Sequence, residues 1–306
     1  MRLYLAGLYT NGFGNSRYSA RLTETEEKGR SSVRNYLESY HYINKPKYVA
    51  DIRREGKKVF LDSGAFSAFT KGIDVDLPAY CRYIQENADI IENIDGSVCA
   101  SVLDSIGSAE GTYKNQMAME KLGVRPLPCF HYGEDEKCLA WYVKNYSHIT
   151  IGGMVPISTP QLRIWLDRIW DRYLTDGAGR PRLNVHGFGL TTISLMKNYP
   201  WYSVDSSSWV QTAANGGILY TQNWKAMAIS DSSPARRVAN QHYSTFSPVH
   251  QNAILSYLTK EGYDIDRLQT EYLSRWAYNC NAYTILEDFI NEYNKDSFTA
   301  EQQRLF

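Results

Sequence analysis

Along the first 220 residues, short apolar runs rich in β-branched and aromatic side chains alternate with longer segments whose apolar positions recur every three or four residues. That alternation predicts βα units and a parallel sheet. The expected strands are Leu3 to Ala6, Val59 to Asp62, Val98 to Asp104, Leu127 to Phe130, Ile149 to Gly152, Leu183 to His186, Tyr202 to Asp205 and Ile218 to Thr221. The expected helices between them are Ser32 to His41, Leu77 to Asn87, Ser108 to Leu122, Glu134 to Asn145, Thr159 to Tyr173 and Thr191 to Asn198. After Asn223 the alternation stops and two helical stretches follow, Val249 to Lys260 and Ile265 to Asn294. The polar stretch Ser16 to Ser32 reads as a surface loop.

Eight strands favour closure into a (β/α)8 barrel, a TIM barrel, over an open doubly wound sheet, because a closed sheet has no exposed edge. The expected organisation is an α/β barrel over residues 1–230 and a helical C-terminal extension over 231–306 packed on it. A length of 306 residues suits one such unit.

Composition narrows the function classes. With 43% hydrophobic and 22% charged residues the chain is globular. Thirty-three basic and 33 acidic side chains balance, so any nucleic-acid partner has to be met by a local patch. The 24 tyrosines and seven tryptophans offer aromatic faces for stacking, although most such rings simply pack. Five scattered cysteines with no CxxC pair argue against a disulfide framework and a structural zinc motif. The apolar run at the N-terminus is too short for a signal peptide, and none approaches the ~18 residues of a membrane span, so the cytoplasm is the expected location.

Barrel enzymes carry their chemistry at the C-terminal ends of strands. Here those ends read LDSGAF, VLDS, CFHYGE, IGGMV, NVHGFG and SVDSSSW. They supply three aspartates, Asp62, Asp104 and Asp205, and a pair of carboxylates flanking a sugar carbon suffices for displacement at an anomeric centre. Each alone could equally cap the next helix. Gly152 and Gly153 let a flat ligand approach the backbone, or mark a tight turn. His131 and His186 face the same rim as candidates for substrate contact or metal ligation, and Tyr132 is suited to a base or sugar. There is no GxSxG elbow, HExxH motif or complete dinucleotide fingerprint.

In their order, LDSGAFSAF, VLD, CFHYGE, IGGM, VHGFGLT and SVDSSSW resemble the tRNA-guanine transglycosylase superfamily over about residues 59–210. The resemblance implies Asp205 as nucleophile, Asp62 as acid/base, and Asp104 on the pyrimidine edge of the purine. It places Gly152 with Gly153 and Gly187 with Gly189 at the family's glycine positions, and with Ser63, Gly64, Tyr132 and the strand-end His131 and His186 these make up the expected substrate contacts. Tyr132 stands where that family has a glutamine. The tRNA enzymes of the family carry a C-x-C-x-x-C and His zinc site after the nucleophile, and here only Cys280 falls in that region.

A zinc-less chain with DSGAFSAF is most similar to the phage and bacterial 7-deazaguanine DNA transglycosylases of the DpdA group. What that implies is exchange of guanine in DNA for a free 7-deazaguanine base such as preQ0, through a covalent aspartyl-nucleotide. Lys225, Arg236 and Arg237 are the candidate DNA contacts. No cofactor, no metal and no membrane are expected, and self-association stays open. The alternatives are a tRNA-directed enzyme, a barrel glycoside or nucleoside hydrolase, and a non-catalytic partner subunit.

Overall fold

A computed structural model of the chain describes residues 1–155 and 157–295. Its strands are β1 (Arg2–Ala6), β2 (Asn35–Ser39), β3 (Val59–Asp62), β4 (Asn93–Ile94), β5 (Ser97–Val98), β6 (Cys129–His131), β7 (His148–Gly152), β8 (Asn184–Gly187), β9 (Ser203–Ser206), β10 (Gly217–Tyr220) and β11 (Lys225–Ala228). Two compact units form. The first takes Met1–Asn15, Asn35–Ser206 and the chain from Ile290; the second takes Ser16–Arg34 and Ser207–Phe289. This partition does not coincide with a boundary at residue 230, and residues 296–306 of the expected extension lie outside the described residues.

The first unit is an α/β fold built on a seven-stranded parallel sheet in the order β3-β2-β1-β9-β8-β7-β6. Its strands are largely buried, as strands of a parallel sheet covered on both sides are, and all five residues of β7 are buried. Tyr4 of β1 pairs with Asn35 on one side and with Asp205 on the other, so the expected nucleophile stands on a central strand. Helices follow the strands with capping side chains at their starts. Asp76 accepts from the Ala79 N–H, Ser108 from Gly111 and Asp135 from Lys137, opening Leu77–Glu86, Ala109–Lys121 and Glu136–Asn145.

Four expectations are corrected. Ser32 to His41 is not a helix: Asn35–Ser39 is β2, an interior strand paired with β1 and β3. Its Glu38 hid the strand, because a carboxylate in a fully buried run breaks the apolar pattern. Ile218 to Thr221 is not a barrel strand: β10 pairs antiparallel with β11 in a separate two-stranded sheet, turning through Trp224 at φ 56°. Val98 to Asp104 is not one continuous strand. β5 forms a small antiparallel hairpin with β4 around Asp95 and Gly96, both at positive φ. Beyond it, Ser101 N–H donates to Leu61 O at 2.9 Å, and Leu127 N–H donates to Ala100 O at 2.8 Å. Ser16 to Ser32 is not a loop but a 3-10 turn, Ser16–Arg21, and a helix, Glu24–Ser31, opened by a Thr23/Glu26 capping box.

In the second unit the hairpin is tied down by Asn279, which is fully buried on the helix Tyr272–Asn294. Its Oδ1 accepts from Leu219 N–H at 2.9 Å and its Nδ2 donates to Trp209 O at 2.9 Å. Glu26, 2% exposed, receives Arg267 through Nε and Nη2, each at 2.8 Å. No helix of the described residues is long and apolar enough to cross a membrane.

Candidate active site

The C-terminal ends of β3, β6, β8 and β9 bring acidic and imidazole groups together within the first unit. At the end of β3 the chain must turn at once into the helix Ala65–Thr70, and Gly64 makes the turn at φ 76°. A Cβ there would sit 2.5 Å from His41 Cβ and 2.6 Å from Ser39 Oγ, so glycine at position 64 is a steric requirement. Gly64 N–H donates to Asp62 Oδ2 at 3.0 Å, and Ser63, buried, donates its N–H to Ser101 Oγ at 2.8 Å.

Burial first, then the charges of Asp104 and Asp205, push the Asp62 carboxyl up from its ordinary value to about 7; the Gly64 N–H opposes them. Three carboxyl groups therefore share one electrostatic neighbourhood, and Asp62 is poised to exchange a proton at neutral pH.

Asp205 is 7% exposed on β9. Its Oδ1 accepts from Gly189 N–H at 2.8 Å and lies 3.4 Å from His186 Nε2. His186 is fully buried: Nδ1 meets Ser203 Oγ at 2.8 Å and the ring stacks on Phe60 with centroids 4.4 Å apart. The histidine expected to touch substrate thus abuts Asp205 from inside the core. Gly187 is packed under Trp201, whose ring carbon would lie 3.0 Å from an added Cβ.

Asp104, Cys129 and His131 form a second cluster. His131 Nε2 lies 3.3 Å from Asp104 Oδ2 and 3.4 Å from Cys129 Sγ, while its Nδ1 lies 2.9 Å from Glu134 Oε1. The Cys129 sulfur, Asp104 and Glu134 raise the His131 pKa against desolvation. Burial pushes the Cys129 thiol up. Asp104 Oδ1 is buried without a hydrogen-bond partner. Gly152 floors the cluster, since a Cβ there would lie 3.0 Å from His131 Cδ2 and 3.2 Å from Cys129 Sγ. Gly153 turns at φ 71°, and Tyr132 packs its ring edge on Trp165 at 5.1 Å.

Lys225, Arg236 and Arg237 belong to the second unit and are exposed; Arg236 pairs with Asp231 at 3.5 Å. Sequence reasoning passed over Glu38, Cys129 and Glu134. Glu38, at the end of β2, is fully buried and accepts from Tyr9 N–H and from Thr10 Oγ1–H at 2.7 Å, clamping the loop after β1. Cys129 was detectable: residues two apart on a strand share a face, so C-x-H aims both side chains one way. No protein-family model and no curated protein matches this chain in sequence.

Proposed function

We propose that the chain is a base-exchange transglycosylase that replaces guanine in DNA with a free 7-deazaguanine such as preQ0. The observation that carries this reading is the pairing of Asp205, buried and oriented by the Gly189 N–H, with Asp62, whose proton is exchangeable near pH 7. On this reading the segment bonded between Leu61 and Leu127 serves as an eighth strand, and the sheet closes into a (β/α)8 barrel with these carboxyl groups on its rim.

The Asp205 carboxylate attacks C1′ of the deoxyguanosine. The C1′–N9 bond breaks, its electron pair leaves with guanine, and Asp62 supplies the proton the departing base takes up. The 7-deazaguanine enters, returns its N9 proton to Asp62 and attacks C1′, releasing Asp205. Two inversions give retention. Asp104 Oδ1, lacking a partner, accepts from the N1–H and 2-amino group, a donor pair adenine lacks. A target base in a duplex must leave the stack. Phe66 and Phe69, on the helix that follows Asp62, are 70% and 62% exposed and offer stacking faces beside the rim. Lys71 Nζ, 4.7 Å over the Tyr42 ring, adds positive charge there.

The test is trapping. Wild type and Asp205→Ala are incubated with guanine-containing DNA and, separately, with tRNA, followed by denaturing electrophoresis and labelled-guanine exchange. An adduct on DNA that disappears in Asp205→Ala supports both nucleophile and substrate. An adduct only on tRNA moves the chain to the RNA enzymes. Release of base without exchange identifies a hydrolase.

A further inference from the structure

We infer that Asp104, Cys129 and His131 bind a zinc ion, with the fourth position left for water or a lone pair of the substrate. The three ligand atoms lie within 4.8 Å of one another. For tetrahedral zinc, with bonds of about 2.3 Å to sulfur and about 2.0 to 2.1 Å to nitrogen and oxygen, the edges of the tetrahedron are about 3.5 Å for S···N and about 3.3 Å for O···N. The Cys129 to His131 and Asp104 to His131 separations are 3.4 and 3.3 Å. Two of the three separations thus have the edge lengths of a coordination tetrahedron, and the third is within 4.8 Å.

Three further features belong to such a site. Glu134 Oε1 engages His131 Nδ1 at 2.9 Å, the outer carboxylate that orients a metal-bound imidazole and leaves Nε2 for the ion. Glu134 also accepts from the His131 backbone N–H at 3.1 Å, so its own position is fixed. Gly152 keeps clear the space beside Cys129 Sγ and His131 Nε2 that any Cβ would fill. One sulfur, one nitrogen and one oxygen ligand suit zinc over magnesium or calcium, which prefer all-oxygen shells. Three protein ligands with an open place is the pattern of catalytic rather than structural zinc. The inference does not rest on base exchange, because metal content is read with no substrate present.

The experiment is zinc analysis of the full chain purified from zinc-supplemented culture, followed by replacement with Co²⁺ and absorption spectroscopy. One zinc per chain, a thiolate-to-cobalt charge-transfer band, and loss of both in Cys129→Ser but not in Cys138→Ser are expected. Glu134→Gln, which leaves all three ligands in place, is expected to weaken zinc about tenfold to a hundredfold in chelator competition. That variant decides the matter should Cys129→Ser fail to fold. A metal-free wild type without a cobalt band overturns the inference, as does zinc retained at full affinity in both Cys129→Ser and Glu134→Gln.

Discussion

The backbone N–H of Gly189, in the loop after β8, donates to Asp205 Oδ1 on the neighbouring strand β9 at 2.8 Å. Gly189 is at φ 62°, and an added Cβ would lie 2.7 Å from Val155 Cγ2. Gly189→Ala therefore meets a backbone strain of about 1 to 3 kcal/mol and a contact that only Val155 can relieve. Adduct formation is expected to fall about a hundredfold, the scale on which a small misplacement of a reacting group lowers the rate. Adding Val155→Ala should restore part of the rate, since Val155 is exposed, while the φ strain persists. Single-turnover rates of the two variants check this.

Asp62 should govern the pH dependence of the first step. Its carboxyl titrates at about 7, so the proton-donating form is present below that pH and is lost above it. Adduct formation is expected to be level on the acid side and to fall about tenfold per pH unit above ~7. In Asp62→Asn that break should vanish along with most of the rate, while substrate binding survives.

Glu38 makes the corresponding prediction for stability. Burial raises its pKa from 4.5 to about 7, so the folded state holds the proton that the unfolded chain has released. Its contribution is fully present below pH 4.5 and is lost as pH rises through about 7, amounting to a few kcal/mol. Denaturant unfolding from pH 4.5 to 7 should show wild type losing stability more steeply than Glu38→Gln. A parallel slope in the two proteins would remove Glu38 as the cause.

The strands carrying the site were legible because buried parallel strands announce themselves as apolar runs that stop at a polar residue. Asp62, His131 and Asp205 stand on such strands, whereas Asp104 lies beyond the short β5, outside any strand. β2 was not legible, because Glu38 is held by amides at Tyr9 and Thr10, 29 and 28 residues earlier. No local pattern encodes a partner at that distance. β10 has the composition of a barrel strand, and its separate hairpin is decided by Trp224 at the turn and by Asn279, 60 residues downstream of Leu219. The interior place of His186 was likewise invisible, since alternation gives the face of a side chain and not its depth.

Phe66 and Phe69 test the nucleic-acid side of the proposal. Both are largely exposed, so Phe66→Ala and Phe69→Ala should leave the melting temperature within about 2 °C, as surface changes generally do. If they stack on bases, each should weaken binding of guanine-containing DNA by about 1 to 3 kcal/mol. Fluorescence anisotropy with labelled oligonucleotides measures the loss, and unchanged affinity in both variants would remove the helix Ala65–Thr70 from the DNA contact.

Asn279→Leu should destabilise the second unit. It removes the side-chain partner of Leu219 N–H in the buried interior, at about 1 to 3 kcal/mol for a buried group left unsatisfied. Thermal unfolding should register this as a drop of several degrees, with the chemistry of the first unit unchanged at low temperature.

The pairing of β1 with β9 sets the order in which the protein can assemble during synthesis. Arg2 lies opposite Ser203 and Tyr4 opposite Asp205, so the strand made first waits for one made some 200 residues later. Until then its open edge stays unpaired, and Asp205 reaches its seat only when most of the chain has left the ribosome. Nascent chains cut short before β9 should therefore be held by chaperones or aggregate, and competence for chemistry should arrive late and all at once.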